Sequence, residues 1–142
     1  MDERTSEKKG ITMNPSILIV EDHQGVRQSL REWLELSFPQ CQLLEATSGE
    51  EGVTVAQAMS PSLVIMDIGL PGMNGIEAAA GIKAAVPTAR VVMLTMYDDE
   101  AHRADAAAAG VSAYVPKRKV RTELLPVLTR LLAEDGGEEP HD

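Results

Sequence analysis

Four short apolar runs, each ending in a group able to do chemistry, constrain this chain more than any other feature. Ile17-Leu18-Ile19-Val20 ends in Glu21-Asp22, and Leu63-Val64-Ile65-Met66 ends in Asp67. Val91-Val92-Met93-Leu94 ends in Thr95, and Ala113-Tyr114-Val115-Pro116 ends in Lys117. Continuous apolar runs, without polar alternation, suit strands buried on both faces of a parallel sheet. If all four lie parallel in one sheet, their C-terminal ends share one rim. Three carboxylates, one hydroxyl and one ammonium then meet there. Such a set can bind a divalent cation and carry a phosphoryl group on an aspartate.

Helical spacing fills the intervals. Val26, Leu30, Trp33 and Leu34 mark one face of a helix over residues 24–37, closed by Pro39. A strand over 42–46 precedes a second helix that starts at Ser48, with Glu51 placed for a capping box, and ends near Met59. The strands themselves are expected at 17–21, 63–67, 90–95 and 112–115. The turn-rich stretch 69–75 leads into a third helix, 75–86, bounded by Pro87. Asp98 or Asp99 caps a fourth helix that runs to Ala109, and Gly110 ends it. A fifth helix over 122–133 carries Leu124, Leu128 and Leu131 on one face. Pro126 fits only the first turn of a helix, so a later start is expected there. Strands alternating with helices imply an α/β domain, with ligands beyond the carboxyl ends of the strands at the switch in strand order.

A length of 142 residues favours one domain with one core. Hydrophobic residues make up 44 % but aromatics only 3 %, so Val, Ile, Leu, Met and Ala must fill that core. The single Cys41 can form no internal disulfide, which fits a reducing, cytoplasmic location. No apolar run approaches the roughly 18 residues of a membrane span. The net charge of −9 and the lack of a basic stripe argue against nucleic-acid binding by this chain alone. Residues 1–14 read as a disordered lead-in and 135–142 as a disordered acidic tail, leaving a folded unit over 15–134.

Glu21, Asp22 and Asp67 would repel one another strongly in a partly desolvated cleft. Mg²⁺, which prefers oxygen ligands and retained water, relieves this. Three carboxylates, Mg²⁺ and Lys117 together carry no net formal charge. Any one acid at a strand end is as easily a solvated loop residue. Solvation does not account for matching groups on four strands.

The segments ILIVEDH, LVIMDIGLPGMNGIE, VVMLTMYDD and AYVPK resemble the receiver domain of bacterial two-component response regulators, over residues 15–134. LTMYDDE is most similar to receivers of the subfamily with a C-terminal helix-turn-helix output domain. The resemblance implies a flavodoxin-like, doubly wound five-stranded parallel sheet of order 2-1-3-4-5. It implies that Asp67 takes a phosphoryl group from a phosphohistidine of a sensor histidine kinase or phosphotransfer protein. Mg²⁺ would be held by Glu21 (through water), Asp22, Asp67 and the backbone carbonyl of Gly69. Lys117 and Thr95 would bind phosphoryl oxygens, and Tyr114 would swing inward as Thr95 moves. Turnover would be limited to self-phosphorylation and slow self-dephosphorylation. Output would pass through a protein–protein surface, including a phosphorylation-dependent homodimer.

Two features depart from the family. Arg118 follows Lys117 where many receivers have Pro, which leaves the course of the chain after the lysine open. Only about nine residues follow the last expected helix, too few for a DNA-binding module, so a receiver fragment of a longer DNA-binding regulator is an alternative. A phosphatase of similar fold would need a second acid where Gly69 stands, and a nucleotide-binding module would need a glycine run after the first strand. A phosphate-independent receiver is disfavoured because every site position is filled. His102 and His23 read as surface residues. Met66, Met73, Met93 and Met96 read as packing or loop residues. The Lys117–Arg121 cluster reads mostly as a solvated loop, and the Ala-rich stretch 104–109 as close helix packing that could ease a shift of the fourth helix.

Overall fold

The apolar runs do form one parallel sheet. In a computed structural model that describes residues 15–96 and 100–137, the strands are β1 (Ser16–Val20), β2 (Gln42–Ala46), β3 (Leu63–Asp67), β4 (Arg90–Thr95) and β5 (Ala113–Pro116). Their order is β2-β1-β3-β4-β5, the doubly wound flavodoxin-like topology expected. The helices are α1 (Gln24–Ser37), α2 (Gly49–Met59), α3 (Gly75–Ala85), α4 (Glu100–Ala108) and α5 (Val120–Gly137). Among the described residues no helix is long and apolar enough to cross a membrane. The expected lead-in 1–14, the caps Asp98 or Asp99 and the end of the tail, 138–142, lie outside the described residues.

Side chains alternate between the two faces of a strand, and each face has its own core. Leu18, Val20, Val64, Met66, Val91 and Met93 pack with Ala56 of α2 and Ala78, Ala79 and Ile82 of α3. Ile17, Ile19, Leu63, Ile65, Val92 and Leu94 pack on the other side with Leu30 and Leu34 of α1 and Leu124, Leu128 and Leu131 of α5. The shortage of aromatics is met by bringing helices close through small residues. A Cβ on Gly52 of α2 would lie 3.0 Å from Val20 Cγ2.

Several boundaries differ from expectation. β1 and β5 each sit one residue off, so Glu21 lies just past its strand and Pro116 within its own. Ser48 accepts from the Glu51 N–H at 3.0 Å, but the Glu51 carboxylate accepts from the Thr47 N–H instead of closing a box with Ser48. The reciprocal box belongs to Asn74 and Glu77, at the start of α3. Val26 lies on the groove side of α1 at 36 % exposure rather than in the core, because Leu30 and Leu34 fill the sheet-facing positions.

The expected late start of the fifth helix is wrong. A 3₁₀ turn at Lys117–Lys119 feeds straight into α5 at Val120, and Pro126 lies inside the helix. Pro126 faces solvent, where the carbonyl it cannot bond remains open to water. Burial of Leu124 and Leu128 on either side outweighs the lost hydrogen bond. The helix also continues past the expected end at Ala133.

Gly75 fixes how α3 meets β3. Its N–H donates to the Ile68 carbonyl at 3.1 Å, and a Cβ there would strike the Asp67 carbonyl and come within 2.7 Å of Ile68 Cα. Both obstacles are backbone and cannot rotate away. Gly75→Ala should therefore lower stability by about 2 kcal/mol, in the range for overpacking. Urea unfolding measures this, and an unchanged midpoint would show that the α3 start is free to move.

Candidate functional site

Strand register assembles the rim. Val20 pairs with Met66, so Glu21 and Asp22 leave β1 beside Asp67 at the end of β3. This is where the strand order reverses, the usual ligand position in an open α/β sheet. Asp67 pairs with Leu94, placing Thr95 next along the rim, and Thr95 pairs with Pro116, placing Lys117 after it. From β5, Lys117 must cross two strand spacings, roughly 10 Å, to reach β3. Its four-carbon stem and the acid side chains meet between the strands: Nζ lies 3.2 Å from Asp67 Oδ2 and 3.5 Å from Glu21 Oε1.

The acids are held by the backbone around them. Asp67 Oδ1 accepts from the Gly69 N–H at 3.1 Å, and Glu21 Oε2 accepts from the His23 N–H at 3.0 Å. Glu21 is 2 % exposed and Asp67 8 %, while Asp22 faces solvent. One oxygen from each of the three carboxylates lies within 4.8 Å of the others. Glu21 Oε1 is buried and accepts no hydrogen bond, its nearest cation standing at ion-pair distance only. A buried, unsatisfied carboxylate oxygen is costly. An all-oxygen donor set containing one fits a hard cation such as Mg²⁺. Thr95 is fully buried at the end of β4. Tyr114 is half-buried on β5, with the Arg103 guanidinium of α4 over its ring at 4.6 Å.

The expected residues Glu21, Asp22, Asp67, Gly69 and Lys117 are thus brought into one cluster. Thr95 adjoins them through register, and Tyr114 lies further down β5. Sequence reasoning missed three participants. His23, read as solvated, is exposed yet caps α1, with Nδ1 accepting from the Val26 N–H. Arg27 donates through Nη1 to the Glu21 carbonyl at 2.9 Å. Arg103 stacks on Tyr114. Histidine is not among the usual N-capping residues, so the role of His23 had no local signal, and nothing local distinguishes Arg27 or Arg103 from ordinary helix-surface cations.

Burial pushes the Glu21 carboxyl above its usual value, and the nearby Asp67 and Asp22 push the same way; the His23 N–H and Lys117 pull against them. In the metal-free protein the folded state therefore holds this proton to higher pH than the unfolded state does. Stability falls as pH rises from the ordinary glutamate range through the raised value. Glu21→Gln should remove that part of the decline and make the metal-free protein more stable at pH 7. Thermal melts from pH 4 to 8 in EDTA test this. A variant that is less stable at neutral pH, with the slope retained, would contradict it.

Comparison with known proteins agrees with this geometry. The family model for the response regulator receiver domain matches residues 17–129. The chain is 26 % identical over 118 residues to the nitrate/nitrite response regulator protein NarL of Escherichia coli, covering 83 % of this chain and 55 % of NarL. It is 35 % identical over 101 residues to the transcriptional regulatory protein LnrK of Bacillus subtilis, covering 71 % and 46 %. The chain thus spans about half the length of these curated relatives. A two-component response regulator of the LuxR family from Aurantimonas superposes with a TM-score of 0.78 at 33 % identity, covering 84 % of this chain and 86 % of that one. A CheY-like receiver domain protein from Methanospirillum hungatei superposes with a TM-score of 0.82 at 26 % identity, covering 88 % and 98 %. A five-stranded sheet of order 2-1-3-4-5, an acidic rim at its switch point and a family match across most of its length place this chain in the response regulator receiver family.

Proposed function

We propose that Asp67 is the phosphoacceptor of this receiver, working with Mg²⁺ and a phosphohistidine donor. Receiver domains are generally non-enzymatic signalling domains that bind Mg²⁺ at an acidic pocket and interact with histidine kinases or phosphotransfer proteins. The observation that carries the reading is the Lys117–Asp67 contact inside the carboxylate cluster. An Asp67 carboxylate oxygen attacks phosphorus as the P–N bond to the donor imidazole breaks, and the product is an acyl phosphate. Such transfers need positioning and charge neutralisation more than covalent help. Mg²⁺, when bound, supplies positive charge to the phosphoryl oxygens. Asp22, Asp67 and the Gly69 carbonyl are the proposed direct ligands, with Glu21 acting through water. Lys117 pairs with one phosphoryl oxygen and the Thr95 hydroxyl with another.

A groove beside the rim suits a protein donor. Val26, Leu30 and Trp33 offer an apolar strip on α1, and Lys117 and Arg121 line its other side. The apolar strip can receive a partner helix while the two cations attract a phosphate-bearing side chain. The proposed output runs the other way along the sheet. Thr95 moving toward a phosphoryl group leaves space for Tyr114, and Arg103 couples the ring to α4. The surface formed by α4, β5 and α5 then shifts between two states that phosphate biases, for a protein partner or a second copy. The cytoplasm, where histidine kinases hold their donor groups, is the proposed location. A second reading, a receiver that is part of a longer DNA-binding regulator, is favoured by the half-length match to NarL and LnrK.

Incubation with acetyl phosphate and Mg²⁺ followed by intact mass should show one added phosphoryl group that Asp67→Asn abolishes. Amide hydrogen exchange on the same sample should show altered protection within residues 95–120. An Asp67→Asn protein that still gains a base-labile phosphate would sink the assignment, and changes confined to α2 would sink the output route.

A further inference from the structure

We infer that Arg27 is a positioning residue for the cation site, acting on the peptide that joins Glu21 to Asp22; the inference rests on the Mg²⁺ reading above. Both proposed ligand-bearing side chains hang from this one peptide, so its orientation sets where their carboxylates point. Its neighbourhood is held at three places. The Glu21 N–H donates to the Ala46 carbonyl at 3.1 Å, and the His23 N–H to Glu21 Oε2 at 3.0 Å. The Glu21 carbonyl accepts from Arg27 Nη1 at 2.9 Å, a charge-assisted bond.

Arg27 is itself locked. Its Nε donates to Glu45 Oε1 at 2.9 Å, and its side chain is only 15 % exposed. Glu45, on β2, is held in turn by Arg31 Nη1 at 2.6 Å. The planar guanidinium makes both bonds at once, one to the carboxylate and one to the carbonyl. A lysine presents one compact nitrogen and lacks this fork. Arg27 alone among these residues reaches the backbone of the acidic pair; Arg31 shares only the Glu45 carboxylate with it. A simple helix-to-sheet ion pair needs Glu45 but does not need the Glu21 carbonyl, so the two roles separate experimentally.

Outer-shell groups that orient metal ligands typically change affinity by about tenfold or more when removed. Mg²⁺ binding to the intact protein by titration calorimetry should give a Kd about tenfold weaker in Arg27→Ala, and weaker also in Arg27→Lys, which keeps the charge beside Glu45 and guards against a failure to fold. Arg31→Ala, which breaks the shared ion pair without touching Glu21, should lower the melting temperature and leave Kd unchanged. Wild-type binding with an unchanged Kd in both Arg27 variants would overturn the inference alone. An equal loss in Arg31→Ala would also overturn it, reducing Arg27 to a structural ion pair. No saturable binding by the wild type would overturn the Mg²⁺ reading and this inference with it.

Discussion

Glu21 and Asp67 stand as two nearly buried carboxyls at the switch point of a parallel sheet, with Asp22 beside them and Lys117 reaching over from β5. Like charges this close are unfavourable in a partly desolvated cleft, and one ammonium leaves the cluster short of neutral. Glu21 Oε1 shows the deficit locally, as a buried oxygen without a hydrogen bond. A fold that holds such a cluster is primed for a divalent cation. With the cation in place, the proposed site is formally neutral before a phosphoryl group arrives.

The rest of the molecule keeps that cluster in register. Central strands buried on both faces set the rim to within one residue. Gly75 lets α3 press against the backbone of Asp67, and the Arg27–Glu45 link ties α1 and β2 to the acidic pair. On the far side, the helix packs through a small side chain. Ala106 is the buried residue of α4, and Arg103 on the Tyr114 ring links that helix to β5. The packed β1–β3 side and the small, alanine-rich contact on the α4 side suit the proposed output route, in which the α4 side moves while the acidic cluster keeps its place.

The parallel strands and the rim were legible in the sequence because each rim residue directly follows an apolar run; the strand order, now seen as β2-β1-β3-β4-β5, came from the resemblance to receivers. Asp67, Thr95 and Lys117 fell where that reasoning placed them. Helix 120–137 was misread because Pro126 was judged by local propensity alone; leucine burial on the opposite face decides its start. The Ser48–Glu51 box failed by one residue because Thr47 offers Glu51 both a backbone and a hydroxyl donor. Arg27 and Arg103 were invisible because their partners, a backbone carbonyl and an aromatic face, are fixed by tertiary structure. Neither leaves a spacing pattern along the chain.

The central claim is that the carboxylate cluster of Glu21, Asp22 and Asp67 is a cation site. Two-dimensional amide NMR during a Mg²⁺ titration tests it most directly. The account predicts one saturable set of shifts, largest at residues 21–23 and 67–69 and extending to Lys117. Shifts that do not saturate, or that concentrate on other acidic surface while 21–23 and 67–69 stay fixed, would contradict it.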